Sequence, residues 1–184
     1  PHKACEIFSY ALKGEICHYD TLKNRSRVKA GGVQVMQTGS GVYHEEETVG
    51  DHTEFFQIWF APYLQEALGR EPTYAQYQHE DFPIENMDGY AVKTIIGHGA
   101  PVAIEAEAKM CDIQIDEEHE YSGNLGFERT LAVMVVSGKG VLLEKNNGEE
   151  NILCENQFLI IHAHDEGEFI VKAESGQSLR IVTI

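Results

Sequence analysis

The sequence predicts an all-β fold with minimal helix, built from two similar small barrels. Short runs of alternating residues recur along the chain, Gly, Asn and Asp turns separate them almost throughout, and one β pattern occurs twice. A single short segment, residues 61–69, reads as a helix. The 184 residues are enough for two compact units of roughly 90 residues each.

The clearest strand predictions lie in the first third and the last quarter of the chain. Residues 5–14, CEIFSYALKG, present two alternating faces, and residues 52–61, HTEFFQIWFA, do the same. Towards the other end, residues 145–150, KNNGEE, predict a hairpin between strands at 141–144 and 151–154. Frequent short strands of this kind are typical of β-sandwiches and β-barrels.

The repeated pattern relates residues 9–44 to residues 134–167. In each copy a strand, a glycine, a strand, a polar turn, a strand, a turn and a last strand follow one another, and Gly14 aligns with Gly138. We therefore predict an N-terminal barrel over residues 1–85 and a C-terminal barrel over residues 86–184.

Acidic residues outnumber basic ones by 30 to 14, which gives a net charge of −16. Such a surface repels phosphate backbones, so we expect no nucleic-acid partner. Apolar runs fall short of the roughly 20 residues of a membrane span, so we expect no membrane insertion. The four cysteines form no CxxC pair. Free thiols in a cytoplasmic protein, or a nuclear one in a eukaryote, fit this composition better than a disulfide scaffold.

A candidate metal site lies in the first barrel. His44 and Glu46 are two residues apart on a predicted strand and therefore share a face. His2 begins the first strand, and a histidine directly before Pro1 would form a second pair with this spacing. Three imidazoles and one carboxylate leave open positions on an octahedral metal, as in non-haem Fe(II) oxygenases. Taken alone, the spacing still favours the simpler interpretation, solvated residues near a strand end.

Three segments within residues 1–78 resemble the pirin family. The first, PHKACEIFSYALKGEICHYDTLKN, is similar to H-P-H-R-G-F-E-x-V-x-Y-x-L-x-G followed by H-x-D-S-L-G-N. The second, GGVQVMQTGSGVYHEE, is similar to G-D-V-Q-W-M-T-A-G-x-G-I-x-H-x-E, and is specific because its glycine spacing and its H-x-E occur together. The third, FFQIWFAP followed by PTYAQYQ, resembles L-Q-L-W-V-N-L-P and P-x-Y-Q. Beyond residue 78 the resemblance is thin.

The resemblance implies a bicupin, with two cupin-type β-barrels and a metal only in the first. The family's four ligands fall on the residue before Pro1 and on His2, His44 and Glu46. Fe(II) is the favoured metal, with Ni, Zn, Mn, Co and Cu as alternatives. The sequence departs from the family pattern at several positions, which puts the shape of the pocket in question. These positions are Lys3 for Arg, Ala4 for Gly, Cys5 for Phe, Val35 for Trp, and Gln37–Thr38 for Thr-Ala.

The resemblance also implies a function. The first hypothesis is an oxygenase of the quercetin 2,3-dioxygenase type, which acts with O2 on a flavonol or enediol and uses Glu46 as both ligand and general base. The alternative is a non-catalytic, metal-dependent and redox-responsive binding protein that modulates a transcription factor or a metabolic enzyme. A weaker third hypothesis is a metal-free structural bicupin. We expect a monomer.

Other polar residues are assigned simpler roles. Glu6 is an alternative carboxylate ligand, but we favour Glu46 and expect Glu6 to be structural or to orient the ligands. His18 and Asp20 read as a hairpin-capping pair. His162 and His164 could bind a metal, but the sequence reveals no accompanying carboxylate in a matching register. The C-terminal barrel is therefore expected to lack the metal motif.

Overall fold

The computed structural model describes residues 1–184 and confirms the all-β prediction. The chain forms fifteen strands, one five-residue α-helix and one 3-10 turn at His79–Asp81. Helix α1, Leu64–Leu68, lies within the segment predicted to be helical. Neither helical segment has the length and apolar character that crossing a bilayer requires.

The chain divides into two compact units. The first contains residues 1–82 and 100–107, and the second contains residues 83–99 and 108–184. The segment 100–107 thus belongs with the N-terminal strands although it follows the first strands of the second unit. The predicted division into an N-terminal barrel over residues 1–85 and a C-terminal barrel over residues 86–184 stays a prediction.

The first unit is built around one long strand, β1, which pairs with three others. Its sheet has the order β2-β1-β3-β5, and β4 also pairs with β1. Phe8, Tyr10 and Ile16 of β1 are fully buried. The strands of this unit are β1 Glu6–Asp20, β2 Arg25–Lys29, β3 Val33–Gln37, β4 His44–Phe60 and β5 Thr73–Tyr77.

Gly14 lets β1 continue past the point where a turn would otherwise be expected. Its φ of 75° is left-handed, and an added Cβ would lie 2.6 Å from Oγ1 of Thr53. The register against β4 shifts on both sides of Lys13, so β1 is bulged and not broken here. Both halves of β1 therefore pair with the single long strand β4.

The second unit contains two sheets that share one buried core. The six-stranded sheet has the order β13-β10-β15-β8-β7-β6, and the four-stranded sheet has the order β12-β11-β14-β9. Ile113, Val133 and Ile181 from the first sheet and Leu142 and Val171 from the second are fully buried in this core. The strands are β6 Ile84–Met87, β7 Tyr90–Ile96, β8 Met110–Ile115, β9 Glu120–Leu125, β10 Thr130–Ser137, β11 Lys139–Glu144, β12 Glu150–Cys154, β13 Phe158–His162, β14 Gly167–Ala173 and β15 Leu179–Thr183.

The two units share backbone features at the positions aligned in the sequence repeat. Gly14 and Gly138 both have left-handed backbones, with φ of 75° and 85°. Ten residues before each glycine, Ala4 and Glu128 are also left-handed, with φ of 55° and 53°. The bend that precedes β1 and the turn that precedes β10 therefore each contain one left-handed residue at the aligned position.

Candidate metal centre

Strand pairing brings two short motifs of the first unit together. In the antiparallel pairing of β1 with β4, His18 lies opposite Glu46 and Asp20 lies opposite His44. Directly opposed residues of an antiparallel pair project to the same face, and so do residues two apart on one strand. All four polar side chains are therefore directed to one face of the sheet.

Potential metal-ligating atoms of His18, His44 and Glu46 lie within 4.8 Å of one another. His2 lies outside this group but beside it, and its ring centroid is 5.0 Å from that of His44. Two backbone hydrogen bonds with Val42, both 2.9 Å long, hold His2 in place. The predicted residues His2, His44 and Glu46 are thus neighbours, while the residue expected before Pro1 lies outside the sequence.

His18 is a candidate ligand that the sequence interpretation missed. Its side chain is buried and stacks on the ring of Tyr74 at a centroid distance of 4.2 Å. Nε2 of His18 donates a hydrogen bond to Asp20 at 3.0 Å, and Asn24 donates two more to the same carboxylate. Burial favours a raised pKa for Asp20, but the hydrogen bonds from Asn24 and His18 outweigh it and lower the pKa. The ionised Asp20 therefore fixes the orientation of the His18 ring.

Two buried nitrogens of this cluster have no hydrogen-bond partner in the protein, Nδ1 of His18 and Nδ1 of His44. Buried polar atoms in folded proteins are nearly always satisfied, so such a pair calls for a ligand or an ion. Burial, followed by the nearby His18 and His2, lowers the pKa of His44 to about 4. His44 is consequently neutral near pH 7, the form that binds metal. The donor set thus fits a divalent transition metal.

The carboxylate of Glu46 is held at both oxygens. Oε1 accepts hydrogen bonds from the Gln34 side chain and, at 3.3 Å, from Ser9, and Oε2 accepts one from Gln57 at 2.5 Å. The Tyr74 hydroxyl in turn donates to the Gln34 carbonyl oxygen at 3.3 Å. This network orients Glu46 towards the imidazoles, whereas the flanking Glu45 is exposed.

Glu6 has a different role from the one that a metal ligand would play. Its carboxylate accepts backbone hydrogen bonds from Glu105 at 2.8 and 3.0 Å and from Ala106 at 3.2 Å. The Gln37 side chain donates another at 2.8 Å. Glu6 is almost fully buried and anchors the segment 100–107 to β1, so its contacts are those of a structural residue.

The second unit also contains a histidine–carboxylate group, although the sequence showed no carboxylate beside His162 and His164. Glu128 lies near both rings, and potential ligating atoms of the three residues lie within 4.8 Å of one another. Glu128 is more than thirty residues away in sequence, on the turn before β10, so the strand spacing around His162 could not reveal it.

The fold and the histidine–carboxylate cluster define a cupin-fold protein with a site that could hold a metal ion. The sequence model of the Pirin family matches residues 1–60. A pirin-like protein of Caulobacter vibrioides is 32% identical over 181 residues, which span 93% of this chain and 74% of the relative. The chain belongs to the pirin family.

Two further comparisons bear on the fold and on function. A quercetin 2,3-dioxygenase of Escherichia coli K12 is 23% identical over 175 residues, spanning 93% of this chain and 73% of the relative. The crystal structure of the bacterial pirin YhhW from Escherichia coli in complex with nickel(II) superposes with a TM-score of 0.75 at 23% identity. That superposition covers 99% of this chain and 72% of YhhW.

Proposed function

We propose that the chain is a metal-dependent dioxygenase of the quercetin 2,3-dioxygenase type, which acts on a flavonol or enediol with O2. The observation that carries the proposal is the Glu46 carboxylate, which Gln34 and Gln57 hold and which has an oxygen within 4.8 Å of potential ligating nitrogens of His18 and His44. The quercetin 2,3-dioxygenase among the relatives supports the same reaction class.

The metal would be held by His2, His44 and Glu46, as the sequence predicts, with His18 as an additional candidate ligand or as the group that orients the others. Two or three imidazoles with one carboxylate suit Fe(II), and Ni, Zn, Mn, Co and Cu also accept such donors. Bound there, the metal would supply Lewis-acid binding of the ionised substrate oxygen and the redox chemistry with O2.

The contribution of the protein itself is proton transfer. Glu46 would accept the proton of the substrate hydroxyl, because general bases act within hydrogen-bond reach of the reacting group. Asp20, the other nearby carboxylate, is unsuited to this role. Its side chain is fully buried, so a substrate hydroxyl cannot reach it, whereas Glu46 is only partly buried.

Trp59 would contribute a flat wall for a planar substrate. Trp59 is 55% exposed, and its ring packs edge-on against the His2 ring at a centroid distance of 4.7 Å. Its Nε1 donates to Gln57 Oε1 at 3.2 Å, so the indole and the glutamine that holds Glu46 are positioned together. An exposed aromatic face next to the proposed base fits stacking on a flavonol ring.

The test is oxygen consumption by the Fe(II)-loaded protein with quercetin and with smaller enediols. We expect O2 uptake that depends on both substrate and metal. If the protein binds one metal at the first site but consumes no O2 with any of these compounds, the enzyme proposal fails. The non-catalytic binding protein then becomes the better hypothesis, and the net charge of −16 would favour a basic partner for it.

A further inference from the structure

A second histidine–carboxylate cluster lies in the second unit. Nε2 of His162 is 3.6 Å from one carboxylate oxygen of Glu128, and Nδ1 of His164 is 3.9 Å from the other. The two imidazole rings are nearly perpendicular, with centroids 4.9 Å apart. Two nitrogens and a carboxylate therefore converge on a small volume of space.

The fold holds the first of these histidines in a defined orientation. His162 ends β13 directly opposite Thr130, and its Nδ1 lies 3.0 Å from the Thr130 hydroxyl. This hydrogen bond occupies Nδ1 and leaves Nε2 directed towards Glu128. Metal-binding histidines usually hydrogen-bond through their remote ring nitrogen to a carboxylate, a backbone carbonyl or water, and the Thr130 hydroxyl takes that place here.

The turn before β10 holds the carboxylate. Glu128 has a φ of 53°, a conformation that residues other than glycine adopt infrequently. A backbone hydrogen bond of 3.2 Å from Arg129 to Gly126 closes the turn, and one of 2.9 Å from Ala163 to Arg129 ties it to the end of β13. In the first unit, the corresponding segment before β1 directly follows His2. Each unit therefore has a potential metal-ligating side chain in or next to the segment that precedes this strand.

The surroundings of the cluster favour a cation. His162 and His164 line a cavity of about 320 Å³, whose other lining residues include three carboxylates and no Lys or Arg. These carboxylates belong to Glu144, Asp165 and Glu168. A cavity wall with charges of one sign raises the local concentration of ions of the opposite sign.

We propose that Glu128, His162 and His164 form a second site for a first-row divalent cation such as Zn²⁺, Ni²⁺ or Co²⁺. Imidazole donors select these ions over Mg²⁺ and Ca²⁺, which prefer oxygen ligands alone. The side chains are 44–81% exposed, so the site binds more weakly than the buried cluster in the first unit and keeps coordination positions open to solvent. The C-terminal barrel would then bind metal through an arrangement different from the H-x-E motif of the first.

The test uses Co²⁺ with the whole chain, after removal of bound metal. The His44→Ala substitution removes metal binding at the first cluster. Equilibrium dialysis and visible absorption then measure the cobalt that remains bound to the protein. In this background we expect one remaining equivalent. His162→Ala, His164→Ala and Glu128→Gln should each weaken it by at least about tenfold, the lower range even for groups that only support a ligand. Thr130→Ala should weaken it less.

The matched control is His98→Ala, which removes an exposed histidine of the same unit outside the cluster. Thermal unfolding checks that each variant is folded. We expect the second-site variants to fold, because the replaced side chains are largely exposed. Wild-type cobalt affinity in the His162, His164 and Glu128 variants would overturn the second site, as would an equal loss in His98→Ala. Either result leaves the first cluster untouched, because binding there is measured separately in proteins that retain His44.

Discussion

His18 lies directly opposite Glu46 in the pairing of β1 with β4, and potential ligating atoms of both lie within 4.8 Å of His44. The H-x-D motif of β1 and the H-x-E motif of β4 therefore form one cluster from two strands. A residue that reads as a turn cap in the sequence is, in the folded chain, part of the candidate metal centre.

We therefore expect His18→Ala to weaken Fe(II) or Ni(II) binding by at least about tenfold, whether the ring binds the metal or orients its neighbours. Isothermal titration of metal into the metal-free protein measures the change. His79→Ala serves as a control within the same unit, because it removes an exposed histidine outside the cluster. Unchanged metal affinity in His18→Ala would show that His18 is a turn cap and not part of the metal site.

Substitution of His44 should weaken metal binding more than substitution of His18. The His44 ring lies between those of His2 and His18, with centroid distances of 5.0 and 5.4 Å, so its loss removes the central donor. We expect His44→Ala to lose one full equivalent of bound iron or nickel, measured by elemental analysis after dialysis. His52→Ala, an exposed position on the same strand, should retain it. Full metal content in His44→Ala would contradict the assignment.

Glu46→Gln tests the proposed base. The variant keeps the shape of the side chain and one carbonyl oxygen but loses charge and basicity. We expect oxygenase turnover to fall by at least about 10²-fold, the lower range for a missing general base, with weaker but measurable iron binding. Glu45→Gln, on the same strand but exposed, should be near wild type. Wild-type turnover in Glu46→Gln combined with an inactive Glu6→Gln would move the base to Glu6.

The metal-free protein should lose stability as the pH falls from about 6.5 to 4, because of His44. Burial lowers the pKa of His44 to about 4, whereas in the unfolded chain the ring titrates near 6.5. Between these values the unfolded state binds a proton that the folded state excludes, so stabilisation present above pH 6.5 is lost as the pH falls. We expect a loss on the order of 2 kcal/mol in the free energy of unfolding.

Denaturant unfolding at pH 7.5 and pH 4.5 measures this loss in the wild type and in His44→Gln, which has no titratable group at the position. The difference between the two pH values should be smaller in His44→Gln, whereas the exposed His52→Gln should behave as the wild type does. An identical pH dependence in all three proteins would show that His44 is not the group responsible.

Glu6→Gln should destabilise the first unit and leave metal binding intact. In the wild type, the Glu6 carboxylate accepts hydrogen bonds from the backbone N–H groups of Glu105 and Ala106. In the variant, the amide NH2 group, which is itself a donor, would face these N–H groups. Leaving buried donors unsatisfied costs about 1–3 kcal/mol, so the midpoint of denaturant unfolding should fall accordingly. The exposed Glu47→Gln is the control. Loss of metal without loss of stability would make Glu6 a ligand after all.

The all-β fold and the shared face of His44 and Glu46 could both be predicted from the sequence, while the two repeated barrels stay a prediction. Each rests on local geometry, because alternation with a period of two and glycine-rich turns act within a few residues. The same reasoning divided β1 into two strands at Gly14, whereas the structure shows one strand with a bulge, Glu6–Asp20. A left-handed glycine permits either a turn or a bulge, and the long partner strand β4 decides between them.

Only the tertiary structure decided which donors stand beside the predicted ones. His18 meets Glu46 through the register of β1 against β4, and Glu128 reaches His162 through the turn before β10. The contacts of Glu6 with Glu105 likewise join residues that are far apart in sequence. Strand register and contacts between residues far apart in sequence depend on the packing of whole strands, so no short sequence pattern predicts them.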